Sequence, residues 1–239
     1  SLFLIEIVDE INEDTIKIRN LGDKGKKKIK TLTKSIEKDI VYPFIKPKDA
    51  KKWGVTSYQY MIIPQMKAGE NNESDLRINY PKGYSFLSSF RDELATRKSK
   101  WFYGGDKPFY SLFGIGEYTF QKFKIVWCCM SYQPHFSVVS TTNDSLIGEK
   151  TFIPDNTIGY ISVDDENEAH YICSLLNCNK TQALFALKSS KSKWGISIEM
   201  VNQVPISEYN NKDAKHKELA SLSIKAHNSL DIKEIKRIE

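Results

Sequence analysis

Lys122-Phe123-Lys124-Ile125-Val126-Trp127 has the period of a β-strand. Phe123, Ile125 and Trp127 fall on one face, and the other face begins with Lys122 and Lys124. The stretch around it, 107–139, also holds Phe109, Tyr110, Phe113, Tyr118, Phe120, Tyr132 and Phe136. Aromatic enrichment of this kind predicts β-structure, with Phe109, Phe113, Phe120, Phe123 and Trp127 as core.

Upstream, 3–8 and 15–19 alternate around an acidic turn at 9–14, which predicts a hairpin. Glycine and charge make 22–28 a loop, and a short helix is expected near 34–40. Pro43 and Pro47 force extended backbone. A strand is expected over 57–63, ended by Pro64, then a polar surface loop over 67–75. Pro81 opens a predicted helix over 81–97, with Phe86, Leu87, Phe90 and Leu94 on one face. Downstream, acids at 164–166 open a helix whose stripe is Ala169, Ile172, Cys173 and Leu176. A second short helix covers 181–188. A third covers 213–230, with Leu219, Leu222, Ala226 and Leu230 on one side. There is no internal repeat. The expected class is α+β: a mixed or antiparallel sheet region with helices packed around it. The expected division is an N-terminal hairpin and basic loop, 1–38, and a larger domain, 39–239.

Composition narrows the classes. The 239 residues are 40% hydrophobic and 12% aromatic, which excludes disorder. No apolar run approaches the ~20 residues of a membrane helix. The amino end lacks the basic lead of a signal peptide. Four cysteines at irregular spacing suit a reducing cytoplasm. Net charge is +5, and the excess is local: residues 22–52 hold eleven lysines against four carboxylates. Such a block fits a polyanion, most simply nucleic acid. On charge alone, a solvated lysine-rich loop accounts for it too.

Several chemistries are excluded by motif. No two prolines are adjacent, so the Asn/Asp/Ser-Pro-Pro-aromatic tetrapeptide of amino-methyltransferases is absent. There is no phosphate-binding loop, no nucleophile elbow and no His-Glu-x-x-His. Phe113-Gly114-Ile115-Gly116 has the glycines of a cofactor loop, but Glu117-Tyr118-Thr119-Phe120 reads as leading into another strand, so a turn between strands is expected. Cys128 and Cys129 are adjacent on a strand and point to opposite faces, a poor zinc site. Pro154-Asp155 with the distant Glu234-Ile235-Lys236 reads as solvated charge, not a nuclease centre. His135, His170, His216 and His227 are scattered, with His216 and His227 at a helix start and on a surface. No catalytic residue and no metal ligand is assigned.

Phe109-Tyr110-Ser111-Leu112-Phe113-Gly114-Ile115-Gly116-Glu117-Tyr118-Thr119-Phe120, running into Lys122-Phe123-Lys124-Ile125-Val126-Trp127, resembles the C-terminal target-recognition region of TaqI-like adenine-specific DNA methyltransferases and related type II restriction–modification enzymes. Other pieces agree in order. Residues 39–53 resemble the family's entry segment, and 80–98 its helix ending in Leu-x-x-Arg. Ala169 to Asn177 resembles the helix before Leu-Leu-Asn-Ser, with Cys178 in place of the serine. Val204-Pro205-Ile206 and 216–223 resemble its closing strand and helix. The likeness spans about 39–227; residues 1–38 have no close match.

The resemblance implies a DNA-binding module that positions a duplex while a catalytic domain, upstream on the same chain or on a separate subunit, flips and methylates an adenine. S-adenosylmethionine would belong to that parent enzyme, with no cofactor in this piece. The phosphate or groove candidates are Lys26, Lys27, Lys28, Lys30, Arg97, Lys98, Lys100, Lys122 and Lys124. Arg77 and Arg97 are the candidates for bidentate guanine reading. Tyr103, Tyr110 and Tyr118 are candidates for packing on sugars or bases. The alternative is a protein-interaction scaffold or separate specificity subunit docking on a catalytic chain. An acidic widest concave side would overturn the DNA reading.

Overall fold

The computed structural model describes residues 2–23, 28–97, 107–131, 134–188 and 195–229. The chain forms two compact units. The first comprises 1–44, 59–120 and 142–153; the second comprises 45–58, 121–141 and 154–239. Antiparallel pairing and flanking helices make the fold α+β.

In the first unit, β1 (Leu4–Asn12) and β2 (Thr15–Asn20) form the expected hairpin. Thr33–Glu37 is strand β3, where a helix was expected. It pairs antiparallel with β2, Ile36 opposite Ile16, and both side chains are fully buried. Inward alternation on a ready ladder outweighs the helical spacing of so short a segment. Only Lys38–Ile40 is helical, as a single 3-10 turn. β4 (Val41–Ile45) and β7 (Gln59–Ile62) follow, while β5 (Ala50–Lys51) and β6 (Gly54–Val55), between them in sequence, pair with each other in the second unit. The six-stranded sheet runs β12-β4-β7-β1-β2-β3, where β12 is Ile153–Pro154. The first 38 residues thus supply three of its strands.

Helix α1 (Glu73–Asn79) begins inside the expected 67–75 loop. The predicted 81–97 helix is two pieces, α2 (Pro81–Ser88) and α3 (Arg91–Ala95). The break has a local cause. The Ser89 hydroxyl donates to the Ser85 carbonyl at 3.0 Å, a back-bond that bends helices. The Lys34 ammonium also donates to Ser89 at 2.9 Å. At the start of α2, the Glu37 carboxylate accepts the Lys82 and Gly83 amides at 3.0 and 2.8 Å. A strand side chain therefore caps the helix. The Gly114 turn does not lead into a strand. The Thr119 amide donates to the Gly116 carbonyl, and the Gly116 amide to the Thr119 hydroxyl. This pair closes α4 (Glu117–Phe120) instead. Phe113 is exposed, contrary to its expected core place. β10 (Thr141–Asp144) and β11 (Gly148–Thr151) pair with each other.

The second unit is built on β8 (Phe123–Cys128), central between β9 (Phe136–Val139) and β13 (Ile158–Val163). Phe123, Ile125 and Trp127 join a core with Ala169, Cys173 and Leu176 of α5 (Glu166–Asn177), as their alternation requires. Gly159 pairs with Trp127, and a Cβ there would lie 2.4 Å from the indole, so the strand must be bare at that point. Helices α6 (Asn179–Lys188), α7 (Ile198–Asn202) and α8 (Ala214–Asn228) complete the unit. Asp165 and Asp213 cap α5 and α8.

The buried stripe of α8 is Ala220, Ser223 and Ala226, not the Leu219 and Leu222 expected. Small residues admit a close neighbour, and α5 supplies a polar partner. The His170 Nδ1 lies 3.0 Å from the Ser223 hydroxyl. His227 is no surface residue either. Its Nε2 accepts the Val138 amide at 2.8 Å, and its Nδ1 donates to the Ser223 carbonyl at 2.7 Å. The two rings meet edge to face at 4.7 Å. Burial first, and then the neighbouring His227, hold the His170 pKa down to about 4; burial also lowers that of His227.

Two outcomes follow for stability. Glu37→Ala should lower the urea-unfolding free energy by about 1–2 kcal/mol, and Glu37→Gln by less, because two helix-start amides lose their acceptor. Both histidines are neutral when folded, while free histidine titrates near 6.5. Their contribution is complete above about pH 6.5 and is lost as pH falls toward 4. The urea midpoint should therefore drop between pH 7 and 5, and His170→Gln should flatten that slope.

Candidate nucleic-acid interface

The charged candidates divide between the units. In the first, Asn20 fixes the base of the lysine-rich loop. Its buried side chain donates to the Lys30 carbonyl at 3.0 Å and accepts the Leu32 amide at 2.8 Å. The Ile29 amide closes back on the Gly22 carbonyl. Lys28 and Lys30 are exposed on this stem, with the Lys30 ammonium 5.3 Å from the Phe90 ring centre. Lys26, Lys27, Lys98, Lys100 and Tyr103 lie outside the described residues.

Arg77 belongs to a knot on α1 and α2. It donates to Glu73 and to the Tyr84 hydroxyl, both at 2.8 Å, and Tyr84 donates to the same carboxylate at 2.5 Å. Arg91 joins at 3.0 Å from Tyr84 and 3.7 Å from Glu73. The Tyr84 bond, ahead of the arginines, holds the Glu73 pKa below the usual carboxylate range. Two guanidinium groups around one carboxylate leave an exposed positive charge here. Arg91 was not singled out in the sequence, where it is one more charge on a helix.

Arg97 is a clip, not a reader. Its Nε donates to the Leu94 carbonyl at 3.0 Å, its Nη1 to Ser111 at 2.6 Å and its Nη2 to Phe109 at 2.5 Å. Every nitrogen of the fork is spent on backbone, which leaves no bidentate pair for guanine. Tyr110 is fully buried, its hydroxyl donating to Asn72 at 2.9 Å, so it cannot pack on a base directly. Tyr118 is 50% exposed. Its ring lies where a side chain on Gly116 would sit, which explains that glycine.

In the second unit Lys122 is exposed, its ammonium 5.2 Å from the Phe123 ring centre. Lys124 is 0% exposed and donates to the Gln121 carbonyl. Burial lowers its pKa to about 7. The alternation that put two lysines on one face is real, but that face is covered at Lys124 and Val126. Lys124 is therefore unable to reach a phosphate from this position.

A third basic element, within the 22–52 block, was not resolved from the sequence. The Lys46-Pro47-Lys48-Asp49 turn closes on itself. The Lys46 amide donates to Asp49 Oδ2 at 3.0 Å, the Ser57 hydroxyl to Oδ1 at 2.6 Å, and the Asp49 amide to the Lys46 carbonyl at 2.8 Å. The β5–β6 hairpin follows, with Lys52 and Trp53 at its tip. Trp53 has φ 64°, a left-handed conformation costing about 1–2 kcal/mol for a side-chain-bearing residue. Its ring is buried, 5.4 Å from that of His227, and its amide donates to the Phe136 carbonyl at 3.3 Å. Asn177 donates to the same carbonyl at 2.9 Å and accepts the Phe136 amide. The proline and aspartate of Lys-Pro-Lys-Asp are the turn signal that marked this place.

Two clefts of the second unit differ in sign. One of about 630 Å³ is lined by Asp165, Glu208, Tyr209, Asn210 and Asn211. Its carboxylates repel phosphate, so this cleft counts against the DNA reading and no duplex contact is assigned to it. The other, of about 410 Å³, has Lys48, Lys51 and His135 among its lining and no acidic residue. No group of three or more His, Cys, Asp or Glu able to hold a metal ion occurs among the described residues, and the four cysteines are free thiols. Cys173 is buried, its pKa pushed up to about 12. No helix among the described residues is long and apolar enough to cross a membrane. The Gly114–Gly116 turn lies between an irregular segment and a one-turn helix. It does not have the strand-to-helix form of a glycine-rich cofactor loop.

No known family profile matches the sequence. A curated protein, the type II methyltransferase M.NspV of Nostoc sp. (strain ATCC 29411 / PCC 7524), is 29% identical over 152 residues. The match takes in 63% of this chain and 30% of that protein. The chain thus carries a region related to a type II methyltransferase and spans under a third of that relative's length.

Proposed function

We propose that this chain is the target-recognition part of an adenine-specific DNA methyltransferase of a restriction–modification system, acting in the cytoplasm. The 152-residue match to a type II methyltransferase carries the reading. The ordered likeness over 39–227 to the recognition region of TaqI-like enzymes supports it, as do the exposed cations of both units. On this reading the chain holds duplex DNA by its phosphates, and a catalytic domain elsewhere extrudes the adenine and transfers the methyl group. S-adenosylmethionine binds that catalytic domain. Tight hold on the duplex offsets the few kcal/mol that base extrusion costs. Lys28, Lys30, Arg77, Arg91 and Lys122 have the exposure this work needs. Arg97, Tyr110 and Lys124 support the fold beneath it.

A second reading, docking on a catalytic subunit, draws on an apolar groove of about 190 Å³ that includes Leu175, Leu184, Val204 and Ile206. The two readings separate by experiment. Fluorescence anisotropy with a random-sequence duplex should give an affinity that falls about a hundredfold between 50 and 200 mM salt, as four or more phosphate contacts require. Affinity unchanged over that range, with a co-purifying subunit, favours docking alone. Lys124→Met should leave duplex affinity unchanged within about twofold. It should also remove the rise in stability between pH 7 and 10.5 that a lysine with a lowered pKa contributes.

A further inference from the structure

We propose that the carboxylate-free cleft beside the β5–β6 hairpin binds a backbone phosphodiester of the duplex, with Lys48 and Lys51 as its cationic ligands. This rests on the duplex-binding reading and gives it a place. Four observations carry it. The cleft, about 410 Å³, is lined by Lys48 of the turn and Lys51 of the hairpin together with Cys128, Met130, Ser131 and His135. Both lysines are exposed, as is His135. The one carboxylate of the turn, Asp49, is 2% exposed, and its two oxygens accept the Lys46 amide and the Ser57 hydroxyl. Its charge is thus spent within the turn, and what the turn presents outward is Lys48.

The last observation is the backbone of Trp53. A bulky residue is held left-handed at the hairpin tip, its ring buried and its amide docked on Phe136. Strain of this kind persists where surrounding packing enforces it, and it fixes the residues on either side. Lys51 and Lys52 therefore leave a rigid turn, with the Lys52 ammonium 5.7 Å from the Trp53 ring centre. A site built on a locked turn loses less entropy on ligation than lysines on a free loop. The chemistry fits a singly charged phosphodiester. Two ammonium groups more than offset its single charge, and the lining holds no carboxylate to oppose them.

The test uses the full 239-residue chain and a fluorescent random-sequence duplex over 50 to 300 mM salt. Lys48→Gln/Lys51→Gln should weaken binding at least tenfold at 100 mM salt. It should also cut the slope of log affinity against log salt by about 0.9, the loss of one phosphate contact. Lys212→Gln/Lys225→Gln, which removes the same charge from exposed positions of the same unit, should change the slope little. Amine acylation should show Lys48 and Lys51 protected by duplex. Wild-type binding with an unchanged slope in the Lys48/Lys51 variant, and no protection of either lysine, overturns the cleft and leaves the duplex reading standing. A wild-type chain that binds no duplex overturns both.

Discussion

The Phe136 carbonyl accepts two N–H groups from distant parts of the chain, the Trp53 amide and the Asn177 side chain. Both donors are set by this one acceptor at the start of β9. A buried carbonyl with two lone pairs tolerates two partners, and each partner removed would leave a polar group without water. The result is a three-way joint of strand, hairpin and helix end. The basic turn 46–57 has little core of its own, and its orientation derives from that joint together with the buried indole of Trp53. The close of α5 is likewise determined by Asn177, which pairs with both backbone groups of Phe136.

The fold class and the strong elements were legible because burial imposes its period on them. Phe123, Ile125 and Trp127 read as one strand face, and Ala169, Cys173 and Leu176 as one helix face. Where the reading went astray, the cause was a partner remote in sequence. Thr33–Glu37 is a strand because β2 offers it a ladder, and nothing within five residues says so. The 81–97 helix divides at Ser88-Ser89, where a hydroxyl returns to the backbone and a lysine 55 residues away adds a bond. On α8, apolar size pointed to leucines, while the packed face is chosen by the room small residues leave and by a serine that answers His170.

The candidate interface was less legible. Charge counting found the right stretch of chain and the wrong resolution. Of the residues named from it, Lys28 and Lys30 keep their exposure, whereas the turn carrying Lys48 and Lys51 was passed over. Arginine identity suggested base reading at 77 and 97 alike. Yet Arg97 is consumed by three carbonyls, and Arg77 shares a carboxylate with Arg91. A side chain's type states what it can bond to, and only its neighbours decide whether that capacity is already used. The same holds for Tyr110, whose hydroxyl answers Asn72 instead of facing outward.

Lys124 has a consequence of a different kind. An ammonium fully enclosed and shifted to about pH 7 is, for much of the time at neutral pH, an uncharged amine with a lone pair. Burial alone holds its pKa down, so an opening that admits water returns the amine to the ordinary lysine range, and within the closed fold the surrounding packing keeps electrophiles from it. The rate at which it is modified therefore measures how often the second unit's sheet breathes, a built-in clock for the native state.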